Sequence, residues 1–252
     1  MNYFFGISNN FLSSQLTVPL FKNSREKSDL ELYKVYPYEK KWRYEIIKIK
    51  KIDDLFFIIS EENINSKFAF FLAKPNELKK NNNNKLYNIN SFTETSPAYR
   101  ANLRVYLKDG GFSSYQSEYP FEMVSKKGMI VSSVNSLANI DANENYLIFR
   151  NIYEEPAHNE FNGYFIDYKN KKIIEHVNLF TNTTSIIKIN KNLIKPEIYF
   201  VSKNYLGIPI YLSIKNKFLS IEHTNPPHSF ILSNNKFEII SKIKEEINEI
   251  IN

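Results

Sequence analysis

Four polar side chains alternate with apolar ones in the stretch SPAYRANLRVYLKDGG, residues 96–111. They are Arg100, Asn102, Arg104 and Tyr106. Successive side chains of a β-strand point to opposite faces, so these four share one face and the apolar residues between them share the other. With a rise of about 3.3 Å per residue, Arg100 and Arg104 would lie about 13 Å apart. Two guanidinium groups at that spacing could bind two anionic groups, or both ends of one extended ligand.

Arginine is scarce in this chain, because only five of its 33 lysine and arginine residues are arginines. Where lysine is the common cation, an arginine indicates a place that needs a planar, bidentate donor. Carboxylate and phosphate groups are the usual targets of such a donor. We therefore count Arg150 with Arg100 and Arg104 as candidates for one ligand pocket. The alternative is that Arg100 and Arg104 form a solvated strand face and pair with acids on a neighbouring strand.

The sequence Asp109-Gly110-Gly111 predicts a hairpin turn after this strand, since glycine adopts the positive φ angles that tight hairpins need. We expect the returning segment, GGFSSYQSEYPFEMV, to bring Tyr115 near the arginine row. Tyrosine beside arginine can stack on a ring and hydrogen-bond its substituents. The predicted ligand is therefore a polar, anionic small molecule or a sugar derivative, with a glycan in the same class. The alternative is that the tyrosines pack at the rim of the sheet.

Two of the four histidines lie in SIEHTNPPHSFIL, residues 220–232, on either side of a Pro-Pro pair. We expect His223 to end a late strand and to point away from Glu222, because adjacent strand residues face opposite ways. The prolines then stiffen the loop that carries His228. Structural zinc normally has four ligands, often cysteines, so this stretch alone does not predict a zinc site. The simplest alternative is a rigid loop with two ordinary histidines.

A third histidine begins the sequence HNE, in which His158 precedes Glu160 by two residues. With His223 as a distal ligand and Lys236 as an anion-binding residue, this spacing resembles the iron site of the Fe(II)/2-oxoglutarate oxygenases. The resemblance implies a jelly-roll fold and catalytic roles for His158, Glu160 and His223. The family usually has aspartate and arginine where this chain has glutamate and lysine. Acidic residues are also frequent here, 27 in all, so the spacing does not assign the chain to that family.

Composition excludes several classes of protein. The chain has no cysteine, which removes disulfide frameworks and thiolate chemistry, and its six glycines leave no phosphate-binding glycine-rich loop. No apolar run is long enough to span a bilayer, and the N-terminus has no signal-peptide pattern, so we expect a soluble, cytoplasmic protein. The net charge is +6, but acidic residues accompany the basic ones along the chain. We therefore do not expect nucleic-acid binding.

Most of the chain predicts β-strands, since short runs rich in Ile, Val, Phe and Tyr recur about every ten residues. The predicted strands are Tyr3–Ile7, Gln15–Leu20, Leu30–Tyr36, Arg43–Ile49, Leu55–Ile59, Lys67–Ala73, Tyr99–Leu107, Phe112–Gln116, Met129–Ser133, Tyr146–Arg150, Tyr164–Tyr168, Ile173–Phe180, Ser185–Ile189, Glu197–Ser202, Ile208–Ile214 and Phe218–His223. This spacing favours antiparallel sheets in a β-sandwich or barrel-like arrangement. We expect one β-rich domain over residues 1–252. The alternative is two β halves divided by the polar, Asn-rich loop near residues 74–92.

The last segment, NKFEIISKIKEEINEIIN, predicts an amphipathic α-helix. Its apolar residues recur at spacings of three and four, which places them on one helix face. They are Phe237, Ile240, Ile243, Ile247 and Ile250. Asn235 and Glu238 predict a capping box at its start. We expect the helix to cover an open edge or end of a sheet; a partner-binding helix is the alternative.

Three functions are consistent with these patterns. The first is binding of a polar, anionic small molecule or sugar derivative through an arginine and tyrosine face. Its candidate residues are Arg100, Asn102, Arg104, Tyr106, Tyr115, Arg150 and His228. The second is a histidine-dependent enzyme that uses His223, His158 and Glu160, by general acid–base chemistry or with iron or zinc. The third is a structural or assembly protein. The sequence predicts no particular cofactor, reaction or oligomeric state.

Overall fold

The computed structural model describes residues 2–19, 21–22, 26–27, 30–49, 51–52, 55–75, 78, 83–86, 101–223 and 232–252. The structure is mainly β, with 51% strand and 13% helical residues. These proportions confirm the expectation of a mainly β protein that ends in a helix.

Twelve strands precede the first helix, and eight follow it. The first twelve are β1 (Asn2–Tyr3), β2 (Leu12–Pro19), β3 (Phe21–Lys22), β4 (Glu26–Lys27), β5 (Glu31–Tyr38), β6 (Lys41–Ile46), β7 (Lys51–Ile52), β8 (Phe56–Ile59), β9 (Ala69–Ala73), β10 (Asn102–Leu107), β11 (Phe112–Gln116) and β12 (Tyr119–Pro120). The last eight are β13 (Lys127–Ser133), β14 (Glu144–Arg150), β15 (Glu160–Asp167), β16 (Lys172–Phe180), β17 (Thr184–Ile189), β18 (Ile198–Tyr205), β19 (Ile208–Lys215) and β20 (Phe218–His223). The helices are α1 (Phe121–Val124) and α2 (Lys236–Ile251), with 3₁₀ turns at Glu61–Asn63 and Lys191–Leu193.

Four antiparallel sheets contain most of these strands. Sheet I has the order β11-β10-β2-β8-β7, and sheet II has the order β6-β5-β9. Sheet III has the order β13-β18-β15-β16, and sheet IV has the order β17-β14-β19-β20. Two short pairs, β1-β12 and β3-β4, complete the described strands. Every strand order is open, so none of these sheets closes into a barrel.

The four sheets form a propeller-like arrangement and not the sandwich or barrel that the strand spacing predicted. Sheet IV shows the difference, because both of its faces are buried. Leu147 and Phe149 of β14 pack against sheet III, whereas Ile148, between them, packs in the core formed with sheets I and II. A strand that is buried on both sides lies between two neighbours, whereas each strand of a two-sheet sandwich has one solvent-facing side.

Sheets I and IV meet along the edge strands β11 and β20. The Gly111 N–H donates to the Lys217 carbonyl oxygen at 2.7 Å, which joins the tip of the β10–β11 hairpin to the tip of the β19–β20 hairpin. A Cβ atom on Gly110 would lie 2.7 Å from the same Lys217 oxygen, so this close approach requires glycine. The contact brings β11, which carries Tyr115, beside β20, which carries His223.

Helix α2 packs its apolar residues on the outer face of sheet III, and not over an open edge or end of a sheet as expected. Ile247 is 1% exposed and packs with Ile243 and Ile250 on that sheet. Phe237 was expected on the same buried face, but it is 67% exposed, so only the C-terminal half of α2 is docked. The predicted capping box is wrong, because Asn235 precedes the helix without a side-chain cap hydrogen bond.

The loop proposed as a boundary is described only at residues 74–75, 78 and 83–86. On either side of it, one apolar cluster includes Leu16 and Phe70 as well as Ile210 and Leu212. The choice between one domain and two β halves stays a prediction.

Candidate functional site

The exposed face of β10 carries the polar row that the sequence predicted. Asn102 and Arg104 are exposed and Tyr106 is half-buried, whereas Leu103 and Val105 are fully buried. The alternation therefore confirms which side chains share the outer face. Arg100 lies outside the described residues, so its place in the row stays a prediction.

The neighbours of Arg104 across the sheet are neutral. In register with it lie Gln15 on β2 and Ser114 on β11. Its guanidinium carbon lies 4.9 Å from the centroid of the Phe112 ring, and the Tyr106 ring lies 5.8 Å from the same ring. Within the described part of the chain, Arg104 forms no ion pair with an acidic side chain. The alternative to ligand binding was that Arg104 pairs with acids on a neighbouring strand. Neither of these two register positions holds an acid.

Tyr115 lies on the opposite side of the sheet from this row. It pairs in register with Leu103, is 6% exposed, and has its ring centroid 6.3 Å from that of Phe5. Burial raises the pKa of Tyr115, with the Glu118 charge as a smaller cause. The structure therefore does not bring Tyr115 to the arginine face, although the predicted hairpin is confirmed.

His223 contacts Tyr115 and not Arg104. The two rings meet edge to face at 5.1 Å between centroids. Glu222 and His223 pair with consecutive residues of β19, so they point to opposite faces, as predicted. His228 and the Pro-Pro pair lie outside the described residues.

His158 belongs to a loop that the turn after β16 holds in place. Its Nδ1 lies 3.1 Å from the Thr181 carbonyl oxygen, and its ring stacks on Phe180 at 4.8 Å and 8°. Because a carbonyl oxygen can only accept, Nδ1 donates this hydrogen bond. The Thr181 hydroxyl donates to the Ala157 carbonyl at 2.7 Å and accepts from the Asn159 N–H at 2.8 Å. These contacts give His158 a fixed orientation.

The iron-site hypothesis does not gain a ligand cluster from the fold. Glu160 is exposed at the start of β15, whereas His223 lies at the edge of sheet IV. Across residues 101–223 and the other described segments, no group of three or more His, Cys, Asp or Glu side chains is placed to hold a metal ion. His158, Glu160 and His223 therefore do not converge, and the propeller-like sheets differ from a jelly roll.

Arg150 is buried and binds main-chain carbonyl groups. It is 1% exposed at the end of β14. One terminal nitrogen donates to the Ser66 carbonyl and, at 3.3 Å, to the Thr184 hydroxyl; the other donates to the Phe68 carbonyl at 3.0 Å. Its guanidinium also lies over the Phe5 ring at 5.7 Å. Burial lowers the pKa of Arg150 to about 9, so the group stays charged at neutral pH. This arginine joins the loop before β9 to sheet IV and does not share the Arg104 face.

A cavity of about 830 Å³ opens beside β5 and β6, away from the residues that the sequence singled out. Four of its twelve lining residues are aromatic: Tyr33, Tyr38, Trp42 and Tyr44. Sequence reasoning missed it because its walls come from two strands and from Pro75, Leu78 and Asn83. The dense aromatic pattern of ELYKVYPYEKKWRY, which holds the one tryptophan of the chain, was the available signal.

Comparison of the chain with protein-family models, with curated proteins and with solved structures finds no match in any of the three. Among the described residues, no helix combines the length and the apolar character needed to cross a membrane.

Proposed function

We propose that the protein binds a polar, anionic small molecule or sugar derivative, such as a sugar phosphate, on the exposed face of β10 and β11. Arg104 holds the anionic group. The observation that carries this proposal is that Arg104 is exposed between two neutral neighbours, Gln15 and Ser114. Its charge is therefore available to a ligand.

The setting of Arg104 suits bidentate recognition. A guanidinium group presents parallel N–H donors that match the oxygens of carboxylate or phosphate. The ring of Phe112, 4.9 Å from the guanidinium carbon, supports one side of the group and limits the directions in which its donors point. Limiting the rotamers of the free side chain lowers the entropy lost on binding.

Amide groups around Arg104 fit the remainder of a hydroxyl-rich ligand. Asn102 lies two residues away on the same face and pairs in register with Gln116 of β11. Gln15 flanks Arg104 on the other side. An amide both donates and accepts, so it can bind hydroxyl groups in either role. The combination favours a sugar derivative over a simple inorganic anion.

The test compares a sugar phosphate with the same sugar lacking phosphate, by calorimetric titration of the purified protein. We expect Arg104→Gln to raise the Kd for the sugar phosphate about tenfold to a hundredfold, because a hydrogen bond to a charged group contributes about 1.5–3 kcal/mol. Rising salt should weaken binding to the unaltered protein, since the site is exposed.

The matched control is Lys34→Gln. Lys34 also lies over an aromatic ring, that of Phe68 at 4.6 Å, but its Nζ is paired with Glu45 at 2.7 Å and it does not line the cavity beside β5 and β6. We expect its substitution to leave the affinity for the sugar phosphate unchanged. If Lys34→Gln weakens binding as much as Arg104→Gln, or if Arg104→Gln changes no ligand's affinity, the proposed face is wrong.

The other two hypotheses stay predictions. No described contact unites His158, Glu160 and His223, so the enzyme hypothesis has no geometric support of its own. The assembly hypothesis would use the adjacent, exposed rings of Phe112 and Phe218, which are 56% and 75% exposed.

A further inference from the structure

The cavity beside β5 and β6 has a rigid aromatic floor. The Tyr33 ring stacks on Phe71 at 5.4 Å and 12°, and the Tyr44 ring meets Phe71 edge to face at 6.1 Å. Trp42 is 2% exposed, and its indole N–H donates to the Glu154 carbonyl at 2.7 Å. Because these side chains are fixed by packing and hydrogen bonds, the floor exists before any ligand arrives.

The rim of the cavity is open and partly apolar. Tyr38 and Ile46, which line it, are each 50% exposed. The volume of about 830 Å³ lies within the range of roughly 300–1,000 Å³ that is typical of small-molecule sites. Tyr38 therefore adds exposed aromatic surface to the buried aromatic side chains that line the same cavity.

A carboxylate faces this aromatic surface. Glu31 lines the cavity, and its Oε2 accepts the Tyr33 hydroxyl at 2.7 Å, which holds the carboxylate in one orientation. Asn83, also on the lining, adds an exposed amide. Carboxylate and amide groups of this kind bind hydroxyl groups, the former as an acceptor and the latter in both roles.

The charges around the cavity cancel. Two acidic and two basic residues line it: Glu31, Glu39, Lys41 and Arg43. An anionic ligand would meet Glu31, and a cationic ligand would meet Lys41. The lining therefore favours an uncharged ligand, in contrast to the Arg104 face, where none of the described acids pairs with the guanidinium.

We propose that this cavity is a second ligand site, which binds an uncharged saccharide of one or two sugar rings. The aromatic floor and Tyr38 pack against the C–H faces of a sugar ring, and Glu31 accepts hydrogen bonds from its hydroxyl groups. The site is separate from the Arg104 face and does not depend on the function proposed for that face.

Trp42 makes this proposal directly testable, since it is the one tryptophan of the chain and it lines the cavity. The purified full chain is titrated with glucose, maltose, cellobiose and diacetylchitobiose while tryptophan fluorescence is recorded, and calorimetry repeats each titration. We expect a saturable change with at least one of these sugars, at a Kd of about 1 mM or tighter, which corresponds to about −4 kcal/mol. We also expect Arg104→Gln to leave this titration unchanged.

Glu31→Gln and Tyr38→Ala are each expected to weaken that binding about tenfold. The control is Glu144→Gln, because Glu144 accepts the Tyr146 hydroxyl at 2.6 Å across the same two-residue spacing, but it does not line the cavity. Tyr38 is half-exposed, so its substitution tests the site even if Glu31→Gln disturbs folding. The proposal is overturned if none of the sugars gives saturable binding, or if Glu31→Gln and Tyr38→Ala both bind as the unaltered protein does.

Discussion

The contacts of Arg150 can be used to estimate how much a buried cation contributes to the stability of the fold. Burial lowers its pKa from 12.5 to about 9, which corresponds to a burial cost of roughly 5 kcal/mol for the charged form. Against this stand three donated hydrogen bonds, to Ser66, Phe68 and Thr184. Hydrogen bonds from a charged group contribute about 1.5–3 kcal/mol each, so together they offset the cost and leave a small net stabilisation.

Two substitutions separate the charge of Arg150 from its shape. We expect Arg150→Met to lower the free energy of unfolding by about 2 kcal/mol, because it removes both the hydrogen bonds and the burial cost. Arg150→Lys keeps a buried cation but loses the two-pronged donor that reaches Ser66 and Phe68 at once. We therefore expect it to be less stable than Arg150→Met by about 2 kcal/mol, although it is the chemically closer change.

Urea unfolding at pH 7, followed by Trp42 fluorescence and by circular dichroism, measures both values from the midpoint and slope. Arg43→Met and Arg43→Lys are the controls, since the Arg43 side chain is 54% exposed and should change stability by less than about 0.5 kcal/mol. If Arg150→Lys is as stable as the unaltered protein, or more stable than Arg150→Met, the bidentate contact to the two carbonyl groups does not stabilise the fold as argued.

Two further predictions concern the helix and acid stability. Ile247→Ala should lower the free energy of unfolding by about 2–5 kcal/mol, because Ile247 is buried between α2 and sheet III. Phe237→Ala, at the exposed N-terminal end of α2, should change the free energy of unfolding by less than about 0.5 kcal/mol. The hydrogen bond from Lys34, with smaller contributions from Tyr36 and Arg43, holds the pKa of Glu45 below its ordinary value of 4.5. A lowered carboxylate pKa gives stability that is present above pH 4.5 and is lost as the pH falls through the folded-state pKa. Glu45→Gln should therefore flatten the decline measured by thermal unfolding below pH 4.5, and an unchanged decline would contradict this role.

Local patterns in the sequence predicted the strands and their faces because both depend on neighbouring residues. The outward position of Asn102 and Arg104 and the inward position of Leu103 follow from alternation alone. The arrangement of the sheets did not follow, since alternation shows that Ile148 or Phe149 is buried but not which sheet covers it. The same limit applies to Phe237. Periodicity places it on the apolar face of α2, but it does not show that only the C-terminal half of the helix packs on sheet III.

Which side chains share a face was predicted correctly within β10, whereas contacts between strands were not. Tyr115 was expected beside the arginines, but the register set by the hairpin turn pairs it with Leu103 on the inner face. The cavity is lined by β5, β6, Pro75, Leu78 and Asn83, and no local pattern encodes that they come together. The scarcity of arginine did indicate bidentate donors, but it could not predict that Arg150 binds the carbonyl groups of Ser66 and Phe68, more than eighty residues earlier in the chain.

The three described arginines show why their surroundings, and not their residue type, decide which one can bind an anion. Arg43 is paired with Glu45 at 3.1 Å, so an incoming anion would have to displace a carboxylate that is already bound. Arg150 is 1% exposed and uses its donors on main-chain carbonyl groups, so an anion could reach it only if the fold opened. Arg104 is exposed, rests on Phe112 and has neutral partners in register on both neighbouring strands. Among the described residues, no acid in register with Arg104 competes with an incoming anion, and that difference makes its substitution the most direct test of the proposed function.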